Sequence, residues 1–229
     1  MKIVDTFFDR SAGNFDDIGA SFSWKIPANF NLAEAVCGRH KKISKQIALF
    51  CENDRGESAR YTFGDLEKLS NRLANVLISL GLKRGDRVAI LLPQRVETGI
   101  THLAAWKAGA LSLPLSILFG SEALRYRLED SGARFVITTK EASEVLQQLG
   151  PDLANLETII NCDDRESGFW ALIDKASDQF SSVVTQANDP ALVIYTSGTT
   201  GPPKGAVLAH RCLLGNLTGF ELSQNFFPQ

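Results

Sequence analysis

Between Arg87 and Ile173 the spacing of hydrophobic positions alternates regularly between two periods. Arg87-Val-Ala-Ile-Leu-Leu92 is almost continuously apolar, as is Ala110-Leu-Ser-Leu-Pro-Leu115, and both runs predict buried strands. Arg134–Thr138 and Leu156–Ile160 predict two more. Between them lie stretches with helical spacing: Val96–Ala108 with a stop at Gly109, Ser121–Leu128 with Ser121 as cap, and Glu141–Leu149. A short helix is expected around Phe169–Ile173. Pro114 cannot donate to a ladder, so it belongs at a strand end or an edge.

Upstream, Ile47–Cys51 and Ala59–Phe63 read as two strands joined by the turn residues Asn53-Asp-Arg-Gly56. Thr62 and Asp65 have capping-box spacing. The helix after them carries Leu66, Leu69, Leu73, Val76, Leu77 and Leu80 on one face and ends at a left-handed Gly81. Residues 1–30 are aromatic and irregular (Phe7, Phe8, Phe15, Phe22, Trp24, Phe30), predicting an arm that docks its rings in the core. Asn31 is placed to cap a helix running to His40 with Leu32, Ala35 and Val36 inward. Near the end, Ala191–Tyr195 and Ala206–Ala209 read as strands and Arg211–Leu222 as a helix.

Alternating apolar strands and amphipathic helices imply an α/β fold: a parallel sheet with helices on both faces. A second sheet region is expected around residues 191–209. The domain expectation is therefore an α/β subdomain over 1–173 with a preceding irregular arm and hairpin, and a polar linker over 174–190. Residues 191–229 would start a second subdomain.

Composition narrows the classes. A net charge of −2 and a pI near 6.0 supply no basic field for nucleic acid. No apolar run approaches the ~20 residues that span a bilayer. Cys37, Cys51, Cys162 and Cys212 are widely spaced, which argues against zinc or a disulfide framework and suits a cytoplasmic protein. His40, His102 and His210 have no metal-ligand spacing, so no metal ligand is expected in this chain. His102 falls one helical turn from Trp106, where packing is the simpler role. His210 is expected to be structural or capping.

The stretch that asks for chemistry is Tyr195-Thr-Ser-Gly-Thr-Thr-Gly-Pro-Pro-Lys204-Gly205. Gly198, Gly201 and Gly205 allow positive φ and a close backbone approach. Thr196, Ser197, Thr199 and Thr200 supply hydroxyls, Pro202 and Pro203 stiffen the turn, and Lys204 supplies a cation. A solvent-facing turn explains the glycines and prolines but not four hydroxyls and a lysine. The loop is suited to wrapping a polyphosphate. It lacks the G-x-x-x-x-G-K-[ST] spacing of the Walker loop, and an apolar strand rather than a helix follows it. G-x-S-x-G is absent, so Ser197 is no hydrolase nucleophile, and no G-x-G-x-x-G follows the first strand to support a dinucleotide-dependent oxidoreductase.

This stretch, with Val207-Leu-Ala-His210 after it, resembles the signature of the adenylate-forming (AMP-binding) superfamily: acyl-CoA synthetases, peptide-synthetase adenylation domains and luciferases. Tyr61-Thr-Phe-Gly-Asp-Leu66 and Trp106-Lys-Ala-Gly-Ala-Leu-Ser-Leu-Pro114 resemble two earlier family segments, and the likeness covers roughly residues 45–215. After Pro114 this chain reads Leu115-Ser-Ile-Leu-Phe-Gly120, without the acidic residue of peptide-synthetase modules, which favours the acyl-CoA synthetase branch.

The resemblance implies part of the N-terminal domain of the adenylate-forming fold and an AMP-forming acid–thiol ligase, of the acetyl- or medium-chain acyl-CoA synthetase kind. Its substrates would be ATP, CoA and a carboxylic acid, with Mg2+ as cofactor. Thr196 to Lys204 would hold the nucleotide phosphates. The magnesium ligand, the adenine contacts, much of the acyl pocket and a catalytic lysine would come from later family segments. The chain thus reads as a fragment, inactive by itself, whose partner is the remaining C-terminal part of the same enzyme. Two alternatives are a non-catalytic nucleotide-binding or sensor protein on the same fold and a peptide-synthetase-like adenylating enzyme.

Overall fold

The structure, a computed structural model, describes residues 14–38, 43–53, 55–150, 153–197 and 201–223. Its centre is a six-stranded sheet in the spatial order β6-β5-β3-β4-β7-β8. The strands are β3 (Arg87–Leu91), β4 (Leu111–Pro114), β5 (Phe135–Thr138), β6 (Thr158–Asn161), β7 (Pro190–Thr196) and β8 (Lys204–Ala209). Strands β3 to β6 pair in parallel throughout, as the strand–helix alternation predicts. β7 continues the parallel sheet beside β4, and β8 returns antiparallel to it. The sheet region expected around residues 191–209 is therefore the outer part of this same sheet.

The near-continuous apolar strands follow from burial on both faces. On one face lie α2 (Phe63–Ser79), α3 (Val96–Lys107) and α6 (Phe169–Asp174), with Leu73, Leu77, Ile100 and Phe169 packed on Ile90 and Phe135. On the other lie α4 (Ser121–Ser131) and α5 (Lys140–Gln148), with Leu124, Leu128 and Leu146 packed on Leu91, Leu113 and Val136. Pro114 is the last residue of β4, opposite Ile90, the strand-end position that its missing N–H favours. The hairpin of β1 (Ile47–Glu52) and β2 (Ser58–Thr62) leads into α2. There Thr62 Oγ1 accepts from Asp65 N at 3.1 Å, and the Asp65 carboxylate accepts from Thr62 N at 2.9 Å, completing the capping box. Gly81 follows α2 at φ 93°.

Several local expectations shift. The cap of α4 is Gly120, and Ser121 is the first helical residue; the helix runs on to Ser131 and closes on a left-handed Gly132. Asn31 does cap its helix, its side chain accepting from Ala33 N. That helix turns π-helical over Glu34–Gly38, with Ala33 and Cys37 buried and Val36 exposed. Of the early rings, Phe30 is buried, but Phe15, on α1 (Phe15–Ser21), and Trp24 face solvent. Phe7 and Phe8 lie outside the described residues.

The polar segment after α6 is stitched down as a strap. Asn71 and Asn75 of α2 donate to the carbonyls of Asp178, Ser177 and Gln179. Thr185 and Phe30 exchange bonds, Thr185 Oγ1 to the Phe30 carbonyl and Phe30 N to the Thr185 carbonyl. Beneath it Lys107, with no solvent exposure, sits 2.7 Å from the Glu67 carboxylate and 2.6 Å from Asn71 Oδ1. Phe30, Leu32, Ala187, Ala191 and Leu214 pack the arm, the strap and α7 (Cys212–Ser223) together. Among the described residues no helix is long and apolar enough to cross a membrane.

Candidate functional site

The glycine-rich stretch forms the connection of the β7–β8 hairpin. The register runs Val193↔Val207, Tyr195↔Gly205 and Thr196↔Lys204, so Thr196 and Lys204 stand opposite each other at the mouth of the loop. Thr196, Ser197 and Lys204 are solvent-exposed, as are Gly201 and Pro202, while Pro203 is half-buried. Gly198, Thr199 and Thr200 lie outside the described residues. Gly201 has φ 87° with open space where a Cβ would point, so its backbone angle alone calls for glycine.

Gly205 differs from the expectation. It sits within β8 opposite Tyr195, and an added Cβ would lie 3.1 Å from Val193 Cγ1 and 3.2 Å from Tyr195 Cζ. Its lack of a side chain makes room for the Tyr195 ring. That ring is braced from α4. Tyr195 OH donates to Asp130 Oδ2 at 2.5 Å, and the Arg127 guanidinium lies 5.7 Å from the ring centre. Burial and the Asp130 carboxylate push the Tyr195 phenol well above its ordinary value, so it remains a neutral donor. Tyr126 OH donates to the Pro203 carbonyl at 3.0 Å. None of these α4 contacts is written in the motif itself. The i, i+4 spacing of Tyr126 and Asp130 is the one trace of them in the sequence.

His210, at the far end of β8, is fully buried. Its Nδ1 accepts from Leu32 N at 3.1 Å, capping the arm helix, while burial pushes its pKa down to about 4. His102 is likewise pushed down to about 4 by burial; its Nδ1 is 2.9 Å from Ser112 Oγ and its ring stacks at a tilt on Trp106. Both are neutral structural groups at physiological pH.

The mouth of the loop thus offers hydroxyls, backbone and one ammonium to solvent, the donor set of an anion cradle. It carries no carboxylate between Thr196 and Gly205, and the ammonium at its mouth repels a cation. These residues do not fit Mg2+. Among the described residues no His, Cys, Asp and Glu group is arranged to hold a metal.

A second feature was not legible in the sequence. β3 leads into α3 on one face and β4 leads into α4 on the other, so the connections diverge at the carboxyl ends of adjacent strands. Such divergence opens a crevice. Here two cavities of about 660 and 810 Å³ flank it, sharing Pro93 and Ile117. Gly120 and Ser121, at the start of α4, line the smaller one, about 8 Å along the helix from Tyr126.

Residues 38–228 match the family model described as AMP-binding enzyme. The chain is 33% identical over 202 residues to the mitochondrial acyl-coenzyme A synthetase ACSM2 of Rattus norvegicus, covering 83% of this chain and 35% of that protein. The Brucella canis acyl-CoA synthetase structure superposes with a TM-score of 0.78 at 28% identity, covering 89% of this chain and 39% of that one. ATP-bound MatB from Rhodopseudomonas palustris gives 0.72 at 28% identity, covering 84% and 37%. The chain spans about a third of the length of the curated relatives it matches.

Proposed function

We propose a function from the premise that this chain belongs to the AMP-binding enzyme family: it is part of an ATP-dependent acyl-CoA synthetase. In that reaction a carboxylate oxygen attacks the α-phosphorus of ATP, and the bond to the β,γ-phosphates breaks to release pyrophosphate. The CoA thiolate then attacks the acyl carbonyl of the mixed anhydride and AMP leaves. The task of this chain's loop is to hold the β,γ-phosphates. Thr196, Ser197, Thr199 and Thr200 supply hydroxyls, Gly198 and Gly201 supply backbone N–H groups, Pro202 and Pro203 stiffen the loop, and Lys204 offsets the negative charge that develops on the leaving group. Magnesium, where the whole protein uses it, would be ligated outside this loop. Four free cysteines suit a reducing compartment, and we place the protein in the cytoplasm.

The observation that carries this reading is the Thr196↔Lys204 register, which sets a cation across from a hydroxyl at the open end of a hairpin. The test is acid-dependent exchange of labelled pyrophosphate into ATP by the whole protein, across a panel of carboxylic acids. Lys204→Ala is expected to slow exchange about ten- to a hundredfold, the value of one charge-assisted hydrogen bond. Its melting temperature should stay unchanged because the side chain is exposed. Exchange at the wild-type rate in Lys204→Ala would remove the assignment. The present chain without the rest is expected to bind ATP, GTP and tripolyphosphate about equally and weakly, and micromolar adenine-selective binding would contradict that.

A further inference from the structure

The two arms of the loop are held by one face of one helix. Tyr195 immediately precedes Thr196 on the way in, and Pro203 immediately precedes Lys204 on the way out. Asp130 takes the Tyr195 hydroxyl at 2.5 Å, and Tyr126 donates to the Pro203 carbonyl at 3.0 Å. Residues four apart on a helix point the same way, so both holds come from adjacent turns of α4. The rings of Tyr126 and Tyr195 meet edge to face at 6.4 Å. Arg127, whose guanidinium is 4.0 Å from the Phe119 ring centre and 5.7 Å from that of Tyr195, ties Tyr195 to the start of α4. Gly205 leaves the space in which the Tyr195 ring lies.

We propose that Tyr126 and Asp130 are positioning residues that clamp the base of the phosphate loop and so aim Lys204 and Thr196 at the bound polyphosphate. This rests on the phosphate-binding reading of the loop above and adds to it the parts that orient it. The physical ground is the rigidity of the peptide unit. Fixing the Pro203 carbonyl fixes the plane of the Pro203–Lys204 peptide, and with it the Lys204 N–H and the position of its Cα, while the pairing of Lys204 with Thr196 in the hairpin sets the face from which its side chain leaves. Thr196, Ser197 and Lys204 are exposed and have no packing of their own to orient them, so the holds on their neighbours Tyr195 and Pro203 must do so. Neither residue touches the ligand in this scheme; they act through Lys204.

A double-mutant cycle read by NMR titration with inorganic tripolyphosphate at low ionic strength tests this. The chain is titrated as wild type, Tyr126→Phe, Lys204→Ala and the double variant, with the thermal midpoint measured for each. Tyr126→Phe removes one hydroxyl and should weaken binding about three- to tenfold, the range of one neutral hydrogen bond. If the clamp acts through the lysine, Lys204→Ala should cost at least threefold less in the Tyr126→Phe background than in the wild type. Should Tyr126→Phe fail to fold, Asp130→Ala, which removes the acceptor of the Tyr195 hydroxyl and releases the other arm, takes its place in the same cycle with the same expected coupling. Multiplicative effects, or wild-type affinity in Tyr126→Phe, would overturn the clamp and leave the loop's role standing. No binding by the wild type, or none of it lost in Lys204→Ala, would overturn the phosphate reading and the clamp together.

Discussion

Because His210 Nδ1 accepts the Leu32 amide hydrogen, the neutral ring must carry its proton on Nε2, which is buried with no partner. Adding a second proton would set Nδ1–H against Leu32 N–H inside the core. Burial is the main cause of the depressed pKa; Arg84 acts in the same direction and Asp189 partly opposes them. The unfolded chain takes up this proton near pH 6.5, and the folded one only near pH 4. The stabilisation is therefore complete above pH 6.5 and drains away as pH falls from 6.5 towards 4, by on the order of 2–3 kcal/mol. His210→Gln retains an acceptor for Leu32 N and has no proton to take up. Its melting temperature is expected to fall less steeply than that of the wild type between pH 6.5 and 4, with the remaining slope coming from His102 and the carboxylates. Equal slopes in thermal melts would show that His210 is solvated in solution. Lys107 teaches the opposite lesson about residues. In the sequence it is one lysine after a tryptophan, and only the fold reveals that it is wholly buried with its ammonium held by Glu67 and Asn71.

At the scale of elements, the capping box at the start of α2 was readable from the sequence because both partners lie within one turn, with Asp65 standing where Glu or Gln is usual. Its two bonds from Thr62 hold the Asp65 carboxyl below the usual range, so this contribution is present at neutral pH and lost in acid. Asp65→Ala is expected to destabilise the fold by about 1 kcal/mol, seen as a lower urea midpoint at unchanged slope. A midpoint matching the wild type would mean that packing of Leu73 and Leu77 alone sets the helix start. The same logic explains what was legible and what was not. Strands β3 to β6 and their helices follow from hydrophobic period, which is local. The steric need for Gly205 arises from its hairpin neighbours Val193 and Tyr195 across the strand pair, to which period and propensity are blind. The loop's chemistry was written in its residues, whereas the hold of Tyr126 on Pro203 spans 77 positions.

For the whole molecule, parallel pairing was implied by alternation, but the order β6-β5-β3-β4-β7-β8 was not. That order creates the crevice between the ends of β3 and β4 and sets α4 as a rod between it and the hairpin. It also leaves β8 outermost. Among the described residues no strand pairs beyond it, and Lys204 to Val207 are exposed, Val207 by 60%. Such an edge presents a row of backbone donors and acceptors ready to template another chain, and the apolar run Ala206–Ala209 carries no charge or proline to blunt it. The strand that carries the lysine is thus also an edge strand among the described residues. Concentrated solutions should self-associate in sedimentation experiments, and Val207→Lys, which adds a solvent-facing charge without touching the core, should keep them dispersed.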